Sequence, residues 1–186
     1  MPRDYLHQTA PTRFTESTRA RFAYRTFGVQ VKTPLIFLQH YTGTTDNWDP
    51  VLTNYLAQKR SVILFDNAGI GRSTGTTPDT IGAMARDAVS FIRSLDLPLV
   101  DLFEFSIGGM VAQEIAVQSP EVVRRLILAG SAAQGGENIS DISDQAKEIL
   151  FRPNATFEER ILDLFFFTQS NKPGRRKGLA SSHRGT

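Results

Sequence analysis

The amino-acid sequence predicts an α/β fold with a mostly parallel, doubly wound sheet. Four short apolar runs have the composition of strands that are buried on both faces, namely residues 35–38, 62–65, 102–105 and 126–129. Stretches with apolar residues at helical spacing lie between them. Strands that alternate with helices in this way pair in parallel, with helices covering both faces of the sheet.

The chain before the second apolar run supplies two further elements. Residues 14–28 alternate apolar and polar side chains, which predicts one or two antiparallel strands. After residues 35–38, Asp46 or Asn47 is predicted to cap a helix that extends to about Gln58. Its predicted inner face carries Trp48, Val51, Leu52, Tyr55 and Leu56.

The chain after the second run alternates helix and strand. Apolar residues keep the i, i+3, i+4 register from about residue 80 to residue 95, which predicts a helix. The strand at 102–105 is followed by a helix that stops near Ser119 and Pro120, and residues 122–130 supply the next strand. Two helices, at 141–151 and 156–167, are predicted beyond it, the second opened by a Thr156…Glu159 capping box.

The region around Ser106 has the pattern of a catalytic turn. The strand ending at Phe105 is followed by Ser106, then by Ile107 and two glycines, then by a helix. Such a turn holds a serine hydroxyl above the sheet edge, and the helix N-terminus behind it presents free backbone N–H groups to an oxyanion. A serine hydroxyl is a weak nucleophile alone, so this geometry serves catalysis only if a base stands nearby.

Three motifs occur in a fixed order: LIFLQHYTGT, FDNAGIGRS and EFSIGG. With them, residues 14–132 resemble the N-terminal two-thirds of an α/β-hydrolase of the esterase, cofactor-free haloperoxidase or carbon–carbon bond hydrolase type. The resemblance implies a small ester or acyl substrate and no cofactor. It also implies that Ser106 is the nucleophile and that the backbone N–H groups of Thr42 and Ile107 hold the oxyanion.

Three neighbouring residues depart from the family pattern or invite another role. Tyr41 stands where glycine is common, and it either narrows the pocket mouth or packs on its loop. Glu104 occupies the first glycine of G-x-S-x-G. Either the backbone opens to admit its side chain, or the carboxylate turns toward the floor of the site and must be paired or protonated. The family position of His40 favours a structural brace of the oxyanion loop over a catalytic base.

The acid and the base of a triad are not found in this sequence. The family order is serine, acid, histidine, and the one histidine after Ser106 is His183, in a stretch without strand or helix periodicity. Asp141, Asp144 and Asp163 fall on predicted helices, where they are poor candidates for the acid. The sheet is therefore expected to stop after its sixth strand, with no later strand to carry the missing residues.

Three segments follow from this organisation: an N-terminal hydrolase core at 1–131, a partial helical cap at 132–171 and a basic, flexible tail at 172–186. The open edge of the last strand and the apolar segment 161–167 predict self-association.

Two functions are left open. One is a serine hydrolase impaired by its incomplete triad, and the other is a non-catalytic protein that binds a ligand or a partner.

Composition excludes several other classes. The tail carries five basic residues and no acidic one, and the rest of the chain has more acidic than basic residues, so no nucleic acid is expected as a partner. GIGRSTG does not have the spacing of a dinucleotide fingerprint, which favours a structural turn that includes Asp66. No apolar run could span a membrane, and no cysteine-based metal site is possible. We expect a cytoplasmic protein without a metal.

Overall fold

The computed structural model describes residues 6–40, 43–133, 135–136, 143–156 and 159–160. Six strands form one sheet: β1 (Arg13–Glu16), β2 (Arg21–Gly28), β3 (Leu35–Leu38), β4 (Ser61–Phe65), β5 (Val100–Phe105) and β6 (Val123–Ala129). The strand order is β1-β2-β4-β3-β5-β6. β4, β3, β5 and β6 are parallel neighbours, whereas β1 and β2 are antiparallel. The predicted mostly parallel sheet is confirmed.

Helices cover both faces of this sheet. These helices are α1 (Pro50–Ala57), α2 (Ile81–Ser94) and α3 (Ile107–Gln118); a fourth helix among the described residues, α4 (Asp144–Leu150), lies beyond the sheet strands in the chain. On one face, α2 and α3 enclose a core that includes Phe65 and Phe91, whose stacked rings lie 4.2 Å apart. On the other face, Phe37 packs against Trp48 at 4.8 Å in a second cluster that Leu52 and Leu56 of α1 join. The doubly wound arrangement follows from these two cores.

The first helix differs from its prediction at both its start and its face. It begins at Pro50, and Asp49 caps it by accepting a hydrogen bond from the Val51 N–H at 2.8 Å. Val51 and Tyr55, predicted on the inner face, are 77% and 68% exposed. Thr53 takes the inward position instead, because its hydroxyl bonds a buried histidine. The inward side of this helix thus combines a polar contact distant in sequence with the packing of Leu52, Leu56 and Ala57.

The last strand, β6, pairs on one side with β5, and among the described residues no strand pairs with its other side. Its Ile127 and Leu128 side chains are 42% and 50% exposed. The described part of the chain therefore presents an open, apolar sheet edge, as the sequence predicted.

By its contacts the chain separates into two compact units, Met1–Gln134 and Gly135–Thr186. All six strands and α1 to α3 belong to the first unit. In the second, Ser143 caps α4, and the predicted capping box is present, since Thr156 Oγ1 accepts from the Glu159 N–H at 3.2 Å. The apolar segment 161–167 and the tail lie outside the described residues, and the division into cap and tail remains a prediction. None of the described helices has both the length and the apolarity that crossing a membrane requires.

Candidate active site

Ser106 lies at the sharp turn between β5 and α3, as predicted. Its backbone has φ 59° and ψ −124°, a conformation that costs a non-glycine residue energy and persists only where its surroundings impose it. The Ser106 N–H donates to the Ala129 carbonyl at the end of β6 at 3.2 Å, and its own carbonyl accepts from the Gly109 N–H at 3.0 Å. The turn is thus held between the neighbouring strand and the first turn of α3.

Gly108 allows α3 to approach the sheet closely. A Cβ atom at this position would lie 2.5 Å from the Leu38 carbonyl oxygen and 2.9 Å from the Gln39 carbonyl oxygen. Both are backbone atoms of the β3 end, and they have little freedom to move away. The glycine two positions after the serine is therefore required by the contact between α3 and β3.

We expect Gly108→Ala to lower the free energy of unfolding by about 2 kcal/mol or more, because overpacking of this kind forces a backbone shift. Gly82→Ala is the matched control. Its Cβ would meet its nearest neighbour, the Gln118 side chain, at 3.4 Å, and alanine favours a helix by about 1 kcal/mol over glycine. Urea unfolding monitored by Trp48 fluorescence measures both variants. Equal stabilities of the two variants would contradict the close contact of α3 with β3.

Glu104 lies in the interior of the protein, close to the turn that carries Ser106. Its side chain is fully buried on the same face of β5 as Leu102, toward α3, where Gly109 leaves space for it. Neither carboxyl oxygen has a hydrogen-bond partner among the described residues, and burial raises the pKa of Glu104 to about 8. Burial without a partner favours the neutral carboxyl over the charged carboxylate below about pH 8.

Asp66 connects the loops that follow β3 and β4. Its Oδ1 accepts from the Thr45 N–H at 2.7 Å, and its Oδ2 accepts from the Arg72 N–H at 2.9 Å. Gly71 has φ +58°, and a Cβ there would lie 2.4 Å from Oδ2. The carboxylate is thus enclosed by its own turn, in agreement with the predicted structural role and not with a ribose-binding role.

A buried histidine that sequence reasoning missed fixes the same loop from the other side. His7 Nε2 lies 2.8 Å from the Thr45 carbonyl oxygen, and Nδ1 lies 2.9 Å from Thr53 Oγ1. A carbonyl only accepts, so Nε2 carries the proton and Nδ1 accepts from the threonine. Burial lowers the pKa of His7, which favours this neutral form. Thr45 is thereby held by His7 and Asp66 together.

A cavity of 440 Å³ opens beside the turn at Ser106 between β5 and α3. We call this turn the elbow and the cavity the β4–α2 pocket. The loop after β3, the loop after β4, the start of α2 and the residue after Ser106 form it. The described residues that line it are His40, Gly43, Asn67, Ile70, residues 77–81, Met84 and Ile107. Ile107 thus contributes its side chain to the pocket and its backbone to the start of α3.

A second cleft, of 640 Å³, is larger but does not include the elbow. It lies at the turn between β1 and β2, the outer half of α2 and the end of α3. Two of its arginines, Arg19 and Arg93, are ion-paired with Asp87 and Glu121. We therefore take the smaller pocket beside Ser106 as the candidate substrate site.

Two predicted site residues, Tyr41 and Thr42, fall outside the described residues, as does His183, which the sequence analysis rejected as a base. His40 is described, and its ring lies 6.4 Å from that of Phe105. Asp144 begins α4 and contacts Lys147 at 3.2 Å on the surface. In the described part of the chain no group of three or more His, Cys, Asp or Glu residues is placed to hold a metal ion.

The sheet order, the strained serine turn and the glycine contact define a protein of the hydrolase type, with helices on both sides of a mainly parallel sheet. The family model described as the alpha/beta hydrolase fold matches residues 33–184, and the chain belongs to this family. Among solved structures it is similar to an alpha/beta hydrolase fold protein from Chitinophaga pinensis. That match has 41% identity and a TM-score of 0.78, and it covers 85% of this chain and 56% of that one.

Curated relatives support the same assignment. The chain is 30% identical over 115 residues to 3-oxoadipate enol-lactonase 2 of Acinetobacter baylyi, covering 61% of this chain and 43% of the relative. It is 32% identical over 128 residues to 2-hydroxymuconate semialdehyde hydrolase of a Pseudomonas species, covering 67% and 43%. The chain spans about half the length, or less, of the curated relatives that it matches.

Proposed function

We propose that this chain carries the nucleophile half of a serine hydrolase that acts on small esters or related acyl compounds. The observation that carries the proposal is the geometry of Ser106, a non-glycine residue at φ 59° directly before the first residue of α3. The relatives named as a hydrolase and a lactonase support the reaction class.

In the proposed mechanism, Ser106 Oγ attacks the substrate carbonyl carbon and forms a tetrahedral intermediate. Ile107 is the first residue of α3, so its N–H has no acceptor within the helix and can donate to the oxyanion. Thr42 N–H is the second proposed donor. The hydrogen bonds of Thr45 with His7 and with Asp66 would hold in place the loop after β3, to which Thr42 belongs. No cofactor enters these steps.

The mechanism also needs a base to take the serine proton and an acid to orient that base. We propose that these 186 residues alone lack both, so that the isolated chain is catalytically impaired. We also propose that the protein resides in the cytoplasm. Loss of triad members costs on the order of 10⁴- to 10⁶-fold in rate. The serine would then remain protonated and unreactive at neutral pH.

The 186-residue chain is expected to hydrolyse p-nitrophenyl butyrate no faster than its Ser106→Ala variant. Both proteins are assayed at equal concentration, and circular dichroism shows that the substitution leaves the fold intact. Ser106-dependent turnover would contradict the proposed impairment, because it would mean that a base is present within these residues.

The alternative is a non-catalytic protein that binds a ligand or a partner, and the unpaired, neutral Glu104 beside the elbow favours it.

We also propose that the isolated chain self-associates through the exposed edge of β6, where Ile127 and Leu128 are open to solvent. Light scattering on the same preparations tests this association, and a monodisperse monomer would contradict it.

A further inference from the structure

The β4–α2 pocket lies on one particular side of Ser106. In the sheet, β3 and β4 occupy one side of β5, and β6 occupies the other. The loop after β4 and the start of α2 line the pocket, so it lies on the β4 side. Ile107 supplies one wall, and the proposed oxyanion donor is the N–H of this same residue. A group bound in the pocket would therefore sit next to the carbonyl that Ser106 attacks.

The walls of the pocket fit a neutral, apolar group. Five half-buried apolar residues line it: Ile70, Pro78, Ile81, Met84 and Ile107. No lysine or arginine is among the described residues that line it, and the exposed Asp79 at its rim would repel an anion. The volume of 440 Å³ lies within the range of small-molecule sites, roughly 300–1,000 Å³.

The side of Ser106 on which the pocket lies also determines which part of an ester it can hold, the acyl part or the leaving group. In this fold the histidine follows the nucleophile in the chain, and the β4 side of β5 is already filled by β3 and β4. The histidine would therefore reach Ser106 from the β6 side. Because it protonates the leaving oxygen, the leaving group must lie on that side, which leaves the acyl part on the β4 side.

We propose that the β4–α2 pocket binds the acyl chain of a neutral aliphatic ester, with Ile81 and Met84 limiting the length of that chain. This assignment rests on the proposed function, because it takes Ser106 as the nucleophile. It names the substrate class of that site: an uncharged acyl group larger than acetyl, held with its carbonyl oxygen toward the Ile107 N–H.

Binding is measured without turnover by NMR of protein labelled with ¹³C at the methionine methyl groups. The chain has three methionines. Met84 lines the pocket, and Met110 of α3 is not among its lining residues. The probes are two isomers that the protein does not hydrolyse, hexanamide with its alkyl chain on the acyl side and N-butylacetamide with its chain on the nitrogen. Hexanoate tests the effect of charge.

Hexanamide is expected to shift the Met84 signal saturably and the Met110 signal little. N-butylacetamide should bind about 3- to 10-fold more weakly, since it cannot both fill the pocket and keep the carbonyl at Ile107, and one net hydrogen bond is worth that factor. Hexanoate should bind more weakly still. Equal affinities of the two isomers would overturn the acyl assignment, and tight binding of hexanoate would overturn the neutral class.

Ile81→Trp, which fills the pocket, is expected to abolish the Met84 shift. Val117→Trp is the matched control, because Val117 is 77% exposed on α3, and it should leave the shift unchanged. A shift that persists in a folded Ile81→Trp protein would overturn the proposal. Ser106→Ala should bind hexanamide as the parent chain does. Retained binding therefore separates the pocket assignment from the nucleophile assignment, which the ester assay tests by itself.

Discussion

Raising the pH from about 5 to about 8 is expected to lower the free energy of unfolding by about 4 kcal/mol through Glu104 alone. In the unfolded chain this carboxyl ionises near its ordinary pKa of 4.5, whereas burial in the folded protein raises the pKa to about 8. Between these two values the folded state retains a proton that the unfolded state has released. Stability therefore falls as the pH rises through this window.

The contrast with Asp101 on the same strand shows why Glu104 behaves in this way. Asp101 is also buried, but it accepts hydrogen bonds from Arg124 at 2.7 and 2.8 Å and contacts Arg60. These partners lower the pKa of Asp101, the Arg124 hydrogen bonds most strongly. Glu104 has no such partner among the described residues, so desolvation alone determines the direction of its shift.

The measurement is urea unfolding at several pH values, followed by the fluorescence of Trp48, the single tryptophan, which lies in the core of the first unit. Glu104→Gln keeps the shape of the side chain but cannot ionise, so its unfolding free energy should be flatter with pH. Glu121→Gln, at an exposed ion pair with Arg93, is the control and should keep the slope of the parent protein. Parallel curves for the parent and Glu104→Gln would contradict the buried, unpaired carboxyl.

The fold was predictable from local features of the sequence. The uninterrupted apolar runs at β3 and β4 correspond to strands in which every residue is buried, because helices cover both of their faces. The turn at Ser106 was predictable because a strand, a serine followed closely by two glycines, and a helix come directly after one another. These features depend on residues that are close in sequence.

The features that were missed depend on contacts between distant residues. The bond from His7 to Thr45 joins positions 38 residues apart, and the bond from His7 to Thr53, which turns α1, joins positions 46 apart. No periodicity in the N-terminal segment indicates such a contact. The direction of Glu104 could have been found, because strand alternation places it on the face of Leu102. The lack of a hydrogen-bond partner for the Glu104 carboxyl among the described residues could not have been found from the sequence, because it depends on how α3 packs against β5.

The reactivity of Ser106 depends on residues that would supply the base and the acid. A chimera that joins residues 1–131 of this chain to the part of the Chitinophaga pinensis relative that follows the position equivalent to residue 131 would supply the portion that follows the nucleophile. In the family order, that portion carries the acid and the histidine. We expect the chimera to hydrolyse esters at a rate at least about 10⁴-fold above that of its Ser106→Ala variant.

The most direct test of Ser106 as the nucleophile is therefore ester hydrolysis by this chimera with and without Ser106. The substrate is p-nitrophenyl butyrate, as in the assay of the isolated chain, and circular dichroism and light scattering establish that both chimeras are folded monomers. We expect turnover by the chimera with Ser106 and background hydrolysis by the Ser106→Ala chimera. Equal rates for two folded chimeras would contradict it and would favour a non-catalytic binding role for this chain.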